Sequence, residues 1–182
     1  MIYEEKTITL KNGQKCLLRS PAGEDAEEML NCFRQTCGET GFMTRYEDEI
    51  TLTVDEERKF LKENFDDPKR QMIAAFLDGK LVGSVSFNGV APFERMLHRA
   101  EFGMSVYKEY WGLGIGSALL SELISSAKTA GYEQLELEVV TENERAVALY
   151  EKFGFRTFGT RENSLKYRNG QYAACHLMLK KL

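Results

Sequence analysis

Histidine and paired cysteine are scarce in this sequence. It contains two histidines, and its four cysteines form no CxxC pair. Zinc sites take closely spaced Cys and His ligands, and small disulfide scaffolds need many more cysteines, so neither kind of framework is expected and no metal is predicted. We predict that Cys16, Cys32, Cys37 and Cys175 are free, mostly buried thiols in a reducing cytoplasm.

Long apolar runs and an excess of positive charge are also missing. No segment approaches the ~18 to 20 apolar residues that span a bilayer, and the start MIYEEKTITLKNGQK is too polar for a signal peptide. The 24 Lys and Arg residues against 28 Asp and Glu give a net charge of −4, which argues against non-specific nucleic-acid binding. We therefore expect a cytoplasmic protein with no membrane or nucleic-acid partner.

Proline is rare, with three residues, while apolar residues make up 43% and charged residues 29% of the chain. This balance is typical of a soluble globular protein and excludes collagen-like or disordered classes. A length of 182 residues suits one compact unit of ordinary size. The sequence therefore predicts a single domain over residues 1–182.

Hydrophobic periodicity alternates between strand and helix patterns along the chain. Strand patterns cover residues 7–10, 15–19, 72–77, 81–87, 99–106, 133–140, 155–160 and 172–179. Helical patterns cover residues 22–36, a segment after Thr53, a segment ending at Gly131, and a short segment between Asn143 and Gly154. This order is typical of a mixed α/β or α+β sheet with helices on its faces.

Glycines alternate at Gly112, Gly114 and Gly116, between a strand pattern and a helix pattern. Such a turn can hold phosphate, because the backbone approaches closely and the first N–H groups of the helix point at the anion. A nucleotide P-loop needs GxxxxGK followed by Ser or Thr, which is missing. A dinucleotide fingerprint needs a third glycine where Ser117 or Leu119 stands. A turn that merely packs tightly is the alternative.

Two stretches, VYKEYWGLGIGSALL (106–120) and LELEVVTENERAVALYEKFGF (135–155), together resemble the GNAT superfamily of acyl-CoA-dependent N-acyltransferases. The resemblance is sharp over residues 99–158. One departure is Trp111, which stands where the family's turn usually has Gln or Arg. The resemblance implies acetyl-CoA as the acyl donor and a mostly antiparallel central sheet of about six or seven strands with helices on both faces. A homodimer is a further expectation, since dimers are common in the family.

Carried over position by position, the resemblance implies two sets of cofactor-binding residues. The backbone of Met104 and Val106 would pair with the pantetheine arm as an added strand does. The pyrophosphate would lie on Trp111, Gly112, Gly114, Ile115, Gly116 and Ser117. Asn143 would hydrogen-bond the pantetheine arm, although capping its own helix explains it equally well.

The resemblance also implies a catalytic set. Tyr150 would donate a proton to the departing thiolate, and Glu138 would take the proton of the amine, with Glu101 as the second candidate. A core tyrosine and two strand glutamates in salt bridges are the alternative interpretation. The Val106 N–H could polarise the thioester carbonyl. A Cys175–His176 nucleophile is disfavoured, because adjacent strand residues point to opposite faces.

The resemblance implies that the acceptor is a primary amine of a small molecule or a peptide N-terminus, with its site within residues 33–46, 87–93 and 164–172. Acidic and aromatic residues in and directly after the first region would suit a cationic amine, and a solvated charge run is the alternative; they are Glu39, Tyr46, Glu47, Asp48 and Glu49. Ala174 stands where many relatives carry aspartate. The alternatives are a non-catalytic acyl-CoA-binding or regulatory domain and a dinucleotide oxidoreductase in which Glu136 contacts a ribose.

Overall fold

The computed structural model of the protein describes residues 1–182. Eight strands form one sheet, and four helices pack on it. The N-terminal elements are β1 (Lys6–Thr9), β2 (Lys15–Arg19), α1 (Ala26–Glu39), α2 (Val54–Asp66), β3 (Gln71–Leu77) and β4 (Lys80–Gly89). The C-terminal elements are β5 (Arg99–Val106), α3 (Ile115–Thr129), β6 (Gln134–Val140), α4 (Glu144–Lys152), β7 (Arg156–Lys166) and β8 (Tyr172–Lys181). None of the helices combines the length and apolar character needed to cross a membrane.

The strands form one sheet in the order β1-β2-β3-β4-β5-β6-β8-β7. Every neighbouring pair is antiparallel except β5 and β6, which are parallel. The predicted mixed, mostly antiparallel fold is confirmed. The sheet has eight strands where about six or seven were expected, because both strands of the N-terminal hairpin join one edge.

Helices cover both faces of this sheet, as predicted. Met72 of β3 lines a small cavity together with Leu61 of α2. Met104 of β5, by contrast, lies against Gly116 of α3. The register aligns these two methionines with adjacent residues of β4, and adjacent strand residues point to opposite faces. Helices α2 and α3 therefore sandwich the sheet.

Local signals in the sequence set most element boundaries. Thr53 and Glu56 form the reciprocal capping box that starts α2. Both residues of the Asp78-Gly79 turn have positive φ, at 49° and 82°, as a tight hairpin requires. Helix α1 begins at Ala26 rather than at residue 22, because residues 23–25 form a separate 3₁₀ turn. All four cysteines are free and buried, as expected.

The two parallel strands at the centre of the sheet pair over three residues only, from Arg99 and Gln134 to Glu101 and Glu136. Beyond that point β5 pairs only with β4, and β6 pairs only with β8. We call the resulting opening between residues 102–106 and 137–140 the β5–β6 gap. It leaves one edge of each strand unpaired in the middle of the sheet.

Gly83 of β4 supports the wall of this gap, and its replacement tests the packing there. A Cβ at this position would lie 2.7 Å from the carbonyl oxygen of Ser105. We expect Gly83→Ala to lower the free energy of unfolding by about 1–3 kcal/mol, since the two strands must move apart. Denaturant unfolding measures the loss. Gly103→Ala is the control, because a Cβ there meets nothing within 4 Å; equal losses in both variants would contradict the prediction.

Candidate active site

The unpaired edge of β5 directs backbone groups into the β5–β6 gap. The N–H of Tyr107 donates to Val82 O, and the N–H of Val90 donates to Arg99 O, so the odd-numbered residues of β5 face β4. The backbone groups of Met104 and Val106 therefore face the gap, as alternate residues of a strand do. One of them is already occupied, because Trp111 Nε1 donates to Val106 O at 2.8 Å. The expected pairing through Val106 is thus reduced to its N–H.

The glycine turn leads from this edge into α3 with an unusual backbone. Gly112 and Gly114 have φ values of +87° and +100°, which side chains rarely adopt. Side chains cap α2 and α4, whereas α1 and α3 start with no side-chain cap, and α3 starts on Gly114. The N–H groups of Ile115, Gly116 and Ser117 are the donors that such a start leaves free. This arrangement fits an anionic group at the turn.

Two cations that the sequence analysis missed flank the glycine turn. Arg145 of α4 lies over the Trp111 ring at 5.3 Å, and its Nη2 is 3.7 Å from where a Cβ of Gly112 would be. The Cγ of Lys11 lies 3.9 Å from where a Cβ of Gly114 would be, and the backbone N–H of Lys11 donates to Leu113 O, so the Lys11 side chain starts beside the turn. The one sequence signal for these cations is Trp111, because it stands where the family usually has a polar residue and so leaves that contact to other side chains.

Helix α4 packs against the start of α3, next to β5. Leu149 lies 3.5 Å, and Met104 3.7 Å, from the position of a Cβ on Gly116, so three elements converge at the start of α3. Asn143 caps α4 by accepting from the Ala146 N–H at 3.2 Å. The cap uses the amide oxygen and leaves the amide nitrogen, so capping and ligand binding are compatible.

Tyr150 lies on α4 beneath the β5–β6 gap. It is 7% exposed and packs edge-on against Phe102, with ring centroids 5.7 Å apart, and against Phe155. Burial raises the pKa of Tyr150 to about 12, with no charged neighbour contributing. The phenol therefore stays protonated throughout the working range of an enzyme.

The two candidate glutamates share the opposite face of the sheet but not the same surroundings. Glu101 lies in the paired part of β5, opposite Glu136, and accepts from Asn88 Nδ2 at 3.2 Å. Glu138 lies two residues further along β6, where the strands have parted and Gly103 faces open space. Its carboxylate is paired with Arg161 of β7 at 2.8 Å, and both side chains are exposed. Glu138, not Glu101, therefore borders the gap.

The alternation of strand side chains places the predicted acid and base on opposite sides of the β5–β6 gap. Phe102, which contacts Tyr150, points to one face, and the neighbouring Glu101 points to the other. Glu138 shares the face of Glu101, because it follows Glu136, the partner of Glu101, by two residues. A thioester lying in the gap would have a carboxylate on one side and a phenol on the other. Such an arrangement can take a proton from an amine on one face and hold one for the leaving group on the other.

A groove borders this site at the end of β6. It has a volume of about 500 Å³. We call it the acceptor groove. Its lining residues come from three stretches of the chain, and they are Phe42, Val140, Glu142, Tyr167, Gln171 and Tyr172. Two of the expected acceptor regions, residues 33–46 and 164–172, contribute to it.

The acidic loop before α2 has other partners. Arg168 forms two hydrogen bonds with Asp48, at 2.7 and 2.8 Å, and lies over the ring of Tyr46. Glu49 accepts from the Tyr46 N–H, and Glu39 accepts from the Lys108 N–H. Asp48, Glu49 and Glu39 are therefore paired with protein groups, whereas Glu47 has no such partner. The suitability of this set for a cationic amine stays a prediction.

The residues that the competing interpretations need are either kept apart or already paired in the structure. Cys175 packs against Val140 and Ala173, whereas His176 bonds to Thr160 Oγ1, so the two side chains do not meet. Glu136 is held by Arg99 at 2.8 Å, and this guanidinium is the main reason that the pKa of Glu136 lies below its ordinary value. It is therefore committed to β5 rather than available for a ribose.

Comparison with known proteins agrees with this geometry. Residues 27–155 match the Acetyltransferase (GNAT) family. The L-amino acid N-acetyltransferase AaaT of Escherichia coli is 33% identical over 116 residues, which cover 62% of this chain and 69% of that protein. The ribosomal protein bS18-alanine N-acetyltransferase of Haemophilus influenzae is 34% identical over 108 residues, covering 56% of this chain and 73% of that protein.

Solved structures show the same fold. A GNAT-family acetyltransferase from Streptococcus pneumoniae superposes with a TM-score of 0.88 at 32% identity, covering 92% of this chain and 99% of that chain. A phosphinothricin acetyltransferase from Sinorhizobium meliloti, solved with AcCoA, superposes with a TM-score of 0.81 at 18% identity, covering 96% and 89%. The matched residues 27–155 are most of this chain and include the glycine turn, the β5–β6 gap and Tyr150. The chain therefore belongs to the GNAT family of acetyltransferases and is an N-acyltransferase that takes its acyl group from acetyl-CoA.

Proposed function

We propose that residues 1–182 act as one domain that transfers an acetyl group from acetyl-CoA directly to a primary amine, of a small molecule or of a peptide N-terminus. The observation that carries this proposal is the β5–β6 gap, with free backbone groups on one wall and an uncapped helix start beside it. The relatives named for L-amino acids and for a ribosomal-protein alanine support an α-amine or a similar primary amine as the acceptor.

The acyl donor fits the residues around the gap. The backbone of Met104 and the N–H of Val106 would hold its pantetheine arm, together with the free amide nitrogen of Asn143. The N–H groups at the start of α3 would bind its pyrophosphate, with Lys11 and Arg145 neutralising charge on either side. Acetyl-CoA supplies the activated thioester for the transfer.

The protein groups then act on protons. We assign the base to Glu138, which borders the gap. Its exposed ion pair with Arg161 would open as it accepts the proton of the arriving ammonium, directly or through water. Tyr150 would hold a proton close to the leaving sulfur. The pKa of an unperturbed phenol is only ~1.5 units above that of a thiol. Burial raises the pKa of Tyr150, and it would also raise the pKa of a thiol in the same place.

Amide replacements separate the two glutamates. We expect Glu138→Gln to lower kcat/KM by about 100-fold, as loss of a general base does. Glu101→Gln should stay within a few-fold of the wild type, since Glu101 lies where β5 and β6 are still paired. Steady-state kinetics at saturating acetyl-CoA measures both. The reverse ranking would reassign the base to Glu101.

Charge removal beside the turn tests the missed cations. We expect Arg145→Gln and Lys11→Gln each to weaken acetyl-CoA binding by about 3–10-fold, because each removes one positive charge close to the phosphates. Isothermal titration measures the Kd. Lys152→Gln is the matched control, since it removes the same charge from the exposed end of α4. An effect of Lys152→Gln as large as that of Arg145→Gln would indicate general electrostatics instead.

The function itself is tested by two measurements on the same protein. Acetyl-CoA should raise the melting temperature, as any ligand of the native state does. Free thiol should then appear when primary amines and N-terminal peptides are added. Stabilisation without thiol release from any acceptor would favour the non-catalytic acyl-CoA-binding alternative, and no stabilisation would overturn the assignment of the glycine turn.

A further inference from the structure

We propose that the acceptor is a small primary amine with an aromatic or branched aliphatic body, and that this body lies in the acceptor groove. The proposal rests on the acetyl transfer proposed above. It selects among the amines left open there, since it excludes polycationic acceptors such as polyamines and aminoglycosides. It also excludes a peptide chain as the preferred acceptor.

The first support is the place of the groove. Val140, which lines it, follows Glu138 by two residues on the same strand. Residues two apart point to the same face and lie about 7 Å apart. An acceptor whose amine reaches Glu138 would therefore extend its body over Val140 and into the groove.

The second support is the nature of the walls. Three aromatic rings line the groove, those of Phe42, Tyr167 and Tyr172. The ring of Tyr172 is 53% exposed, which is high for an aromatic side chain and is relieved if an apolar group covers it. The groove has a volume of about 500 Å³ and is open to solvent, so it can cover one side of a small apolar group.

The third support is the distribution of charge. Among the lining residues Glu142 is the one carboxylate, and of the acidic residues in the nearby loop Asp48 is held by Arg168 and Glu49 by a backbone N–H. A polyamine or an aminoglycoside carries several ammonium groups, and most of them would lack a partner here. An amine with one ammonium and an apolar body has no charged group left without a partner.

The fourth support is a pair of hydrogen bonds that join the two sides of the groove. Tyr167 of the β7–β8 connection donates its hydroxyl to Gly41 O at 2.9 Å, and the neighbouring Arg168 N–H donates to the Tyr46 hydroxyl at 2.7 Å. The loop that follows α1 is thereby held against the turn between β7 and β8. A tie of this kind limits the length of acceptor that the groove takes, which favours a small molecule over a peptide.

The carboxylate of an amino acid is compatible with this class, because Lys166 lies over the Tyr172 ring at 5.4 Å, at the rim of the groove. A free aromatic amine and an aromatic amino acid share the same body. The experiment therefore contains both, and their ratio reports whether Lys166 contributes.

The test compares kcat/KM at saturating acetyl-CoA for phenethylamine, isoamylamine, phenylalanine, ethylamine, spermidine, kanamycin and a peptide that begins with phenylalanine. We expect the best of phenethylamine, isoamylamine and phenylalanine to exceed ethylamine, spermidine, kanamycin and the peptide by at least 10-fold. Tyr172→Ala should remove about 10-fold of that advantage, mainly through KM. The acetyl-CoA Kd should not change, since Tyr172 is remote from the glycine turn.

Phe158→Ala is the matched control, because Phe158 is an equally exposed ring, at 52%, on β7 outside the groove. Preference for spermidine, kanamycin, ethylamine or the peptide would overturn the inference while acetyl transfer stands. Equal effects of Tyr172→Ala and Phe158→Ala would also overturn it. Failure of the proposed function looks different: no thiol is released with any amine, whichever variant is used.

Discussion

Tyr150→Phe is expected to lower kcat by about 100- to 1,000-fold, the size of effect that loss of a positioned proton donor gives. The change removes one hydroxyl and keeps the ring between Phe102 and Phe155. Turnover should therefore fall while the acetyl-CoA Kd and the melting temperature stay close to those of the wild type. Stopped-flow or steady-state thiol release, with titration of the cofactor, measures both quantities.

The pH dependence sharpens this prediction. Burial raises the pKa of Tyr150 to about 12, so the phenol is protonated over the whole of pH 6–9 and its contribution is lost only as pH approaches that value. The ratio of wild-type to variant kcat should therefore be constant between pH 6 and 9. Tyr132→Phe is the control, since its hydroxyl donates to Lys69 O far from the gap. Full turnover in Tyr150→Phe would show that another group supplies the proton.

Gly114→Asp is expected to weaken acetyl-CoA binding by about 100-fold relative to Gly114→Asn. Both side chains must adopt the same strained φ of +100°, and both have the same shape. They differ by one negative charge, which would lie where the pyrophosphate is proposed to bind. A like charge at ~5 Å with an effective dielectric constant of about 20 costs ~3 kcal/mol, which is about two powers of ten in Kd.

The pair of variants separates strain from charge. Gly114→Asn alone reports the cost of a side chain at the start of α3, through its melting temperature and its Kd. Gly13→Ala serves as the control for positive φ, because Gly13 has φ +88° and a Cβ there meets nothing within 4 Å. Indistinguishable Kd values for the Asp and Asn variants would mean that the turn does not hold phosphate.

The elements that the sequence predicted well are those whose causes are local. The capping box at Thr53 and Glu56 and the hairpin turn at Asp78-Gly79 act within four residues, so their sequence pattern carries the conformation. The same holds for Asn143, whose side chain caps the helix that follows it. The extent of β7 was missed, because its pattern is interrupted where the strand has register shifts against β8.

The features that escaped sequence reasoning depend on contacts between distant segments. Lys11 reaches the glycine turn from about a hundred residues away, and Arg161 reaches Glu138 from the neighbouring hairpin. The pairing within the acidic loop has the same origin, since Arg168 holds Asp48 across 120 residues. The type of a charged residue does not indicate which distant residue the fold will bring to it as an ion-pair partner.

The short pairing of β5 with β6 also bears on how the molecule opens. Strands β1 to β5 form one antiparallel block and β6 to β8 form another, and three residue pairs join them within the sheet. Sheet hydrogen bonds thus make each block cooperative internally but join the blocks weakly, which is the condition for partial unfolding in separate units. A ligand lying in the seam would make up for the missing ladder. Slower amide hydrogen exchange at Met104 and Val106, on the β5 wall of the gap, would then be the signature of the loaded protein.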